Sequence, residues 1–134
     1  AAIRWIRDAL DDAGLDPTRI DYINGHASST QVNDATETLA VKAVFGEHAR
    51  RLALSGTKAY TAHPLRATGA IDAAICCLAI SEGFLPPTLH YSEPDPSCDL
   101  DVVPNVCREA QPRGVLSNSF GFGGINSSIV LGRV

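Results

Sequence analysis

The chain has 134 residues, 45% hydrophobic and 19% charged, with a formal net charge of −4. That is enough for one domain with its own core and too apolar for a disordered chain. An acidic balance, with a pI near 5.4, argues against a nucleic-acid partner, which needs a basic face. The longest apolar run, AIDAAICCLAI, is too short to span a bilayer and is interrupted by Asp72, so no membrane role is expected.

In chain order, Ile3, Ile6 and Leu10 recur at helical spacing and Gly14 follows as a stop signal. DYIN reads as a short buried strand running into His26. Asp34 and Glu37 have capping-box spacing and predict a helix through ETLAVKAVFG, ended by Gly46. RLALS reads as a second strand, and SGTKAYTAHPLRATGA places Lys58 five positions before His63. A helix is predicted from about Thr68 to Ser81, closed by Gly83. The proline-rich stretches LPPT, EPDPSCD and VPN are connections. GVLSNSF and NSSIVLGRV then form an antiparallel hairpin around the glycine turn GFGG. Strands alternating with helices before a final hairpin indicate an α/β layered fold.

The four cysteines show no C-x-x-C pair, and the adjacent Cys76 and Cys77 in an apolar helix read as buried small hydrophobes. A reducing, cytoplasmic location fits them. His26 and His63 each follow a strand, where α/β proteins place functional side chains. Neutral imidazoles can donate to an oxyanion on a carbonyl, and the Lys58 ammonium would help keep them neutral. Ser28, Ser29 and Thr30 add hydroxyls, unless they only make a turn. Glu37 is open to two readings, a helix cap or a partner for Lys58. GFGG reads as a hairpin turn or a cradle of backbone N–H groups. Asp72 sits one turn into its helix, where the dipole tolerates a carboxylate.

The stretches NGHASSTQVNDATETLAVKAVFG, SGTKAYTAHPLRATGAIDA and LSNSFGFGGINSSIVL resemble, in order and spacing, the C-terminal part of β-ketoacyl-acyl-carrier-protein synthases. EGFLPPTLHYSEPDPSCDLDVVPN resembles the segment joining the last two. The resemblance implies a thiolase-like α/β layered fold, with residues 1–134 forming its C-terminal part and a nucleophile-bearing N-terminal half absent. It implies decarboxylative condensation of malonyl-acyl carrier protein with an acyl-cysteine thioester in fatty-acid elongation. The implied partners are acyl carrier protein and a second copy in a homodimer, and no organic cofactor is implied.

By resemblance, His26 and His63 hold the malonyl thioester carbonyl, and Lys58 has Glu37 as its partner. Phe122 falls on the gating phenylalanine, whose backbone N–H also helps form the oxyanion hole for the acyl-cysteine, and the flanking Gly121 and Gly123 fall on substrate-binding positions. Ser28 and Thr30 fall on hydroxyls that contact the phosphopantetheine arm. A monovalent cation bound in some members would have Asn24, Asp72 and Ser117 as ligands. Ala27, Ser28, Ala62, Pro64 and Arg66 depart from the family pattern, and Asp72 replaces a glutamate, one methylene short of reaching Lys58. No cysteine here falls on the nucleophile segment, so this chain alone is expected to be inactive. The alternative is a non-catalytic, chain-length-factor-like partner subunit of a polyketide synthase. Retention of both histidines and the lysine favours the enzyme.

Overall fold

Three short strands, buried along their whole length or nearly so, form the centre of the computed structural model, which describes residues 2–133. β1 (Tyr22–Asn24) lies between β2 (Ala53–Ser55) and β5 (Gly114–Phe120), parallel to both. β6 (Asn126–Gly132) returns antiparallel beside β5, completing the order β2-β1-β5-β6. The C-terminal hairpin is as the alternating pattern predicts. Parallel strands covered on both faces read as short apolar runs without a solvent face, which is how DYIN and RLALS read.

Side-chain alternation divides the core into two layers. Ile23, Leu54 and Leu116 point to the face covered by α1 (Ala2–Ala13) and α2 (Gln31–Phe45), where they pack with Ile6, Leu10, Val41 and Phe45. Tyr22, Ala53 and Val115 point the other way, onto Cys76 and Ile80 of α4 (Thr68–Glu82). Buried Thr68, Asp72, Cys76 and Ile80 form the inward stripe of α4 at four-residue spacing. Gly83 ends α4 in the left-handed region at φ +76°. A Cβ there would also press on the Gln111 amide and on Ala110 O, so glycine is favoured.

Two expectations change. α2 begins at Gln31 with Thr30 as its N-cap, not at an Asp34–Glu37 capping box. The Thr30 hydroxyl accepts from Asn33 N at 3.3 Å, which leaves Glu37 two turns inside the helix on its buried side. Only Cys76 of the cysteine pair is buried; Cys77, the next residue on the helix, is exposed in this chain.

The proline-rich connection is a strap rather than a free loop. The Leu54 N–H donates to Asp101 O at 2.8 Å, so the strap covers the outer edge of β2. Asp101 takes Arg108 through both carboxylate oxygens, at 2.5 and 2.9 Å. β3 (Phe84–Leu85) and β4 (Arg108–Glu109) pair where the strap begins and ends. No helix among the described residues is long and apolar enough to cross a membrane.

Candidate functional site

The carboxyl ends of β1 and β2 carry the chemistry-bearing loops, as expected for a parallel sheet. His26 follows β1, and the one-turn helix α3 (Lys58–Thr61) follows β2, with His63 just beyond it. The two imidazoles meet edge to face with ring centroids 5.4 Å apart, and Phe120 lies 5.7 Å from His26 on another side. Both loops are held in left-handed backbone next to a histidine. Ala27 has φ +39° and Ser29 +60°, while Ala62 has +58° and Leu65 +49°. At Ala27 and Ala62 a Cβ on such backbone costs about 1–3 kcal/mol.

The strain at Ala27 is held by Glu37. Its buried carboxylate accepts the His26 N–H at 2.9 Å and the Ala27 N–H at 3.0 Å. Asn118 Nδ2 donates to it at 3.1 Å, and Asn118 Oδ1 accepts from Ser128 Oγ at 2.8 Å. Burial pushes the Glu37 carboxyl up, against the pull of these three donors. Asn118 arrives there because it lies two residues beyond Leu116, on the α2 face of β5. Gly56 makes room from the opposite side, since a Cβ there would sit 2.7 Å from the Ala27 Cβ.

The Lys58 pairing differs from the expectation. Lys58 Nζ lies 3.3 Å from Asp72 Oδ2, with side chains 7% and 0% exposed, and Glu37 is engaged elsewhere. Asp72 reaches despite being one methylene shorter than glutamate, because its place in the first turns of α4 faces the start of α3. Burial, then the Lys58 charge, then His63, draw His26 down to about 4. His26 is therefore neutral at pH 7. His63 Nδ1 accepts the Leu65 N–H at 3.2 Å, with Thr68 Oγ1 at 3.4 Å. A nitrogen that accepts carries a lone pair, so the proton of the neutral ring is on Nε2.

Below the histidines, the strand period puts Asn24, Ser55 and Ser117 in one row across the sheet, facing α4. Tyr22 OH lies 2.8 Å from Ser55 Oγ, and Asn24 Nδ2 reaches both Tyr22 OH and Thr57 Oγ1 at 3.4 Å. Asn24 Oδ1, Ser117 Oγ and His26 Nδ1 are buried without a hydrogen-bond partner. Among the described residues, no cluster of three His, Cys, Asp or Glu side chains is placed to hold a metal.

The remaining candidates lie at the rim. Ser28 Oγ is 3.2 Å from Thr30 Oγ1. Phe122 stands on a single 3₁₀ turn and is 97% exposed in this chain. The Gly121 N–H closes the hairpin on Ile125 O at 2.9 Å. Gly123 has φ +76°, which explains a glycine in the turn. Arg66 is exposed rather than directed into the site. Burial pushes the Cys76 thiol up to about 12, with the nearby Asp72 carboxylate adding to the shift, so it is a poor nucleophile.

Sequence reasoning did not single out Thr57, Asn118, Tyr22 or Ser55. Thr57 adjoins Lys58, a signal that was available; the other three are ordinary strand positions until the register is known.

Residues 1–92 match the family described as Beta-ketoacyl synthase, C-terminal domain. A 3-oxoacyl-[acyl-carrier-protein] synthase 2 of Coxiella burnetii is 50% identical over 129 residues, 96% of this chain and 31% of that protein. A ketosynthase solved in complex with a type II polyketide synthase acyl-carrier protein superposes with a TM-score of 0.97 at 41% identity. That match covers 100% of this chain and 33% of the other. A β-ketoacyl synthase from Burkholderia phymatum gives a TM-score of 0.92 at 37% identity, over 99% of this chain and 32% of that one. The chain thus spans about a third of the length of the relatives it matches, and its fold is the C-terminal portion of the thiolase-like ketosynthase fold. From motif order, layered architecture and these likenesses together, the chain belongs to the β-ketoacyl synthase family as its C-terminal domain.

Proposed function

We propose that this chain supplies the carbonyl-binding part of a 3-oxoacyl-acyl-carrier-protein synthase, acting within a longer protein that carries the nucleophilic cysteine. In the reaction, malonyl-acyl carrier protein loses carbon dioxide, and the electron pair of the broken bond passes to the α-carbon and thioester oxygen. The carbanion attacks the acyl-cysteine carbonyl, a carbon–carbon bond forms, and the cysteine leaves as thiolate. The observation that carries this reading is the pairing of two imidazoles, one held neutral by burial and by Lys58, the other with its proton fixed on Nε2. A neutral His26 beside a His63 ring whose Nδ1 accepts and whose Nε2 is left to donate suits an oxyanion that develops as the carboxylate leaves.

In this reading Lys58, held by Asp72, keeps His26 neutral, and Glu37 positions the His26 loop. Phe122 is the gate, set on a turn with glycine on both sides. The rim hydroxyls of Ser28 and Thr30 receive the phosphopantetheine arm of acyl carrier protein. A monovalent cation fits Asn24 Oδ1 and Ser117 Oγ, buried oxygens without a partner, since oxygen donors suit a hard cation. Asp72, whose two oxygens already take Thr57 and Lys58, would add its charge rather than a free ligand oxygen. When bound, the cation would supply charge that steadies this polar layer. A homodimer of the longer protein and a cytoplasmic location belong to the same proposal. Two solved relatives are described as a ketosynthase with a chain length factor. A non-catalytic partner of that kind has no use for the His26–His63 pair.

In the longer protein, His26→Ala and His63→Ala should each lower malonyl-acyl carrier protein decarboxylation about 10²–10³-fold, as loss of an oxyanion donor does. The double variant should fall short of the product of the two, because both donors serve one charge. His48→Ala and His90→Ala are the controls. Decarboxylation that survives both single substitutions would overturn the proposal.

A further inference from the structure

Resting on that reading, we infer that Thr57 is a positioning residue, whose hydroxyl links Asn24 to Asp72 and so sets the carboxylate that holds Lys58. Thr57 is the N-cap of α3, where a threonine hydroxyl ordinarily accepts an N–H of the first helical turn. Here it makes no such bond. Its carbonyl does the work of the turn, accepting from Tyr60 N and Thr61 N at 3.2 Å each. The side chain is fully buried and turned inward, 3.3 Å from Asp72 Oδ1 and 3.4 Å from Asn24 Nδ2.

The proton count gives this chain a direction. A hydroxyl has one proton, and an ionised carboxylate only accepts. The Thr57 proton therefore goes to Asp72 Oδ1, and the Thr57 oxygen accepts from the Asn24 amide. Lys58 Nζ takes the other oxygen, Oδ2, at 3.3 Å. The short aspartate side chain is thereby held at both oxygens, by the Thr57 hydroxyl on Oδ1 and the Lys58 ammonium on Oδ2. Without the hydroxyl, a buried Oδ1 loses its neutral donor and competes for Lys58, so the ammonium shifts from its place on Oδ2.

The test uses the longer protein, with malonyl-acyl carrier protein decarboxylation and thermal melting as readouts. Thr57→Val keeps the volume and removes the hydroxyl; it should lower kcat about tenfold, the effect of one hydrogen bond to a charged group, with KM nearly unchanged. Thr57→Ser should restore the rate. In a Lys58→Met background, Thr57→Val should lower the rate no further, since its effect passes through Lys58. Thr57→Ala carries the same test where the valine variant gives no soluble protein. An equal loss in both backgrounds, a failure of serine to restore the rate, or a wild-type rate in Thr57→Val overturns the inference. If Lys58→Met itself decarboxylates at the wild-type rate, the fault lies instead with the proposed function.

Discussion

His26 shows how a single residue's setting determines both reactivity and stability. Its folded value of about 4 lies below the ordinary histidine value of 6.5, chiefly because the ring is buried. Between these values the unfolded chain binds a proton that the folded chain refuses. The contribution to stability is therefore complete above about pH 6.5 and is lost as pH falls towards 4. The buried Glu37 carboxyl, pushed up from its ordinary value, acts with the opposite sign as pH rises past that value. The carboxyls of Asp16, Asp21, Asp99 and Asp101, lowered from 3.8, act below this window. In denaturation of the longer protein, the wild type minus His26→Gln difference should shrink steadily from pH 6.5 to 4. A flat difference would show that the imidazole is not held neutral by its surroundings.

At the scale of elements, α4 depends on its ends as much as on its inward stripe. Its first turns present Thr68 to His63 and Asp72 to Lys58, and its last turn closes through the Gly83 N–H on Ala79 O at 3.1 Å. Gly83→Ala would force a Cβ into left-handed backbone and against Gln111 and Ala110 O. The expected cost is about 1–3 kcal/mol of stability, read from urea melts, with decarboxylation at the far end of the helix retained in the folded fraction. The helix starts also show what was legible. Gly14, Gly46 and Gly83 marked three helix ends correctly, because a left-handed terminal residue is a local requirement. The start of α2 was misplaced because Thr30 and Asp34 are both competent caps, and only the burial of Glu37 distinguishes them.

At the scale of the whole molecule, the chain presents Phe122, Ile125 and Leu65 to solvent. Large apolar side chains around a candidate site, on a chain spanning about a third of its relatives, form a surface that favours association. The isolated 134-residue chain should bind an apolar dye and elute above its monomer mass, and Phe122→Ser with Ile125→Ser should reduce both effects. The same chain should show no condensation activity, since in the proposed reading the acyl-cysteine belongs to the longer protein; the buried Cys76 thiol, pushed up to about 12, is a poor substitute. Turnover by the isolated chain would contradict the division of labour proposed here.

The sequence by itself determined the layered α/β class, the helix ends, the hairpin and the positions of His26, Lys58 and His63. Each depends on local periodicity, turn chemistry or a motif read along the chain. Only the tertiary structure decided who meets whom. It assigned Asp72 rather than Glu37 to Lys58, brought Asn118 to Glu37, and joined Asn24 through Thr57 to Asp72. These pairs are separated by 14, 81, 33 and 15 residues respectively. Such partners follow from strand register and from which helix covers which face, and neither quantity is carried by any one stretch of sequence.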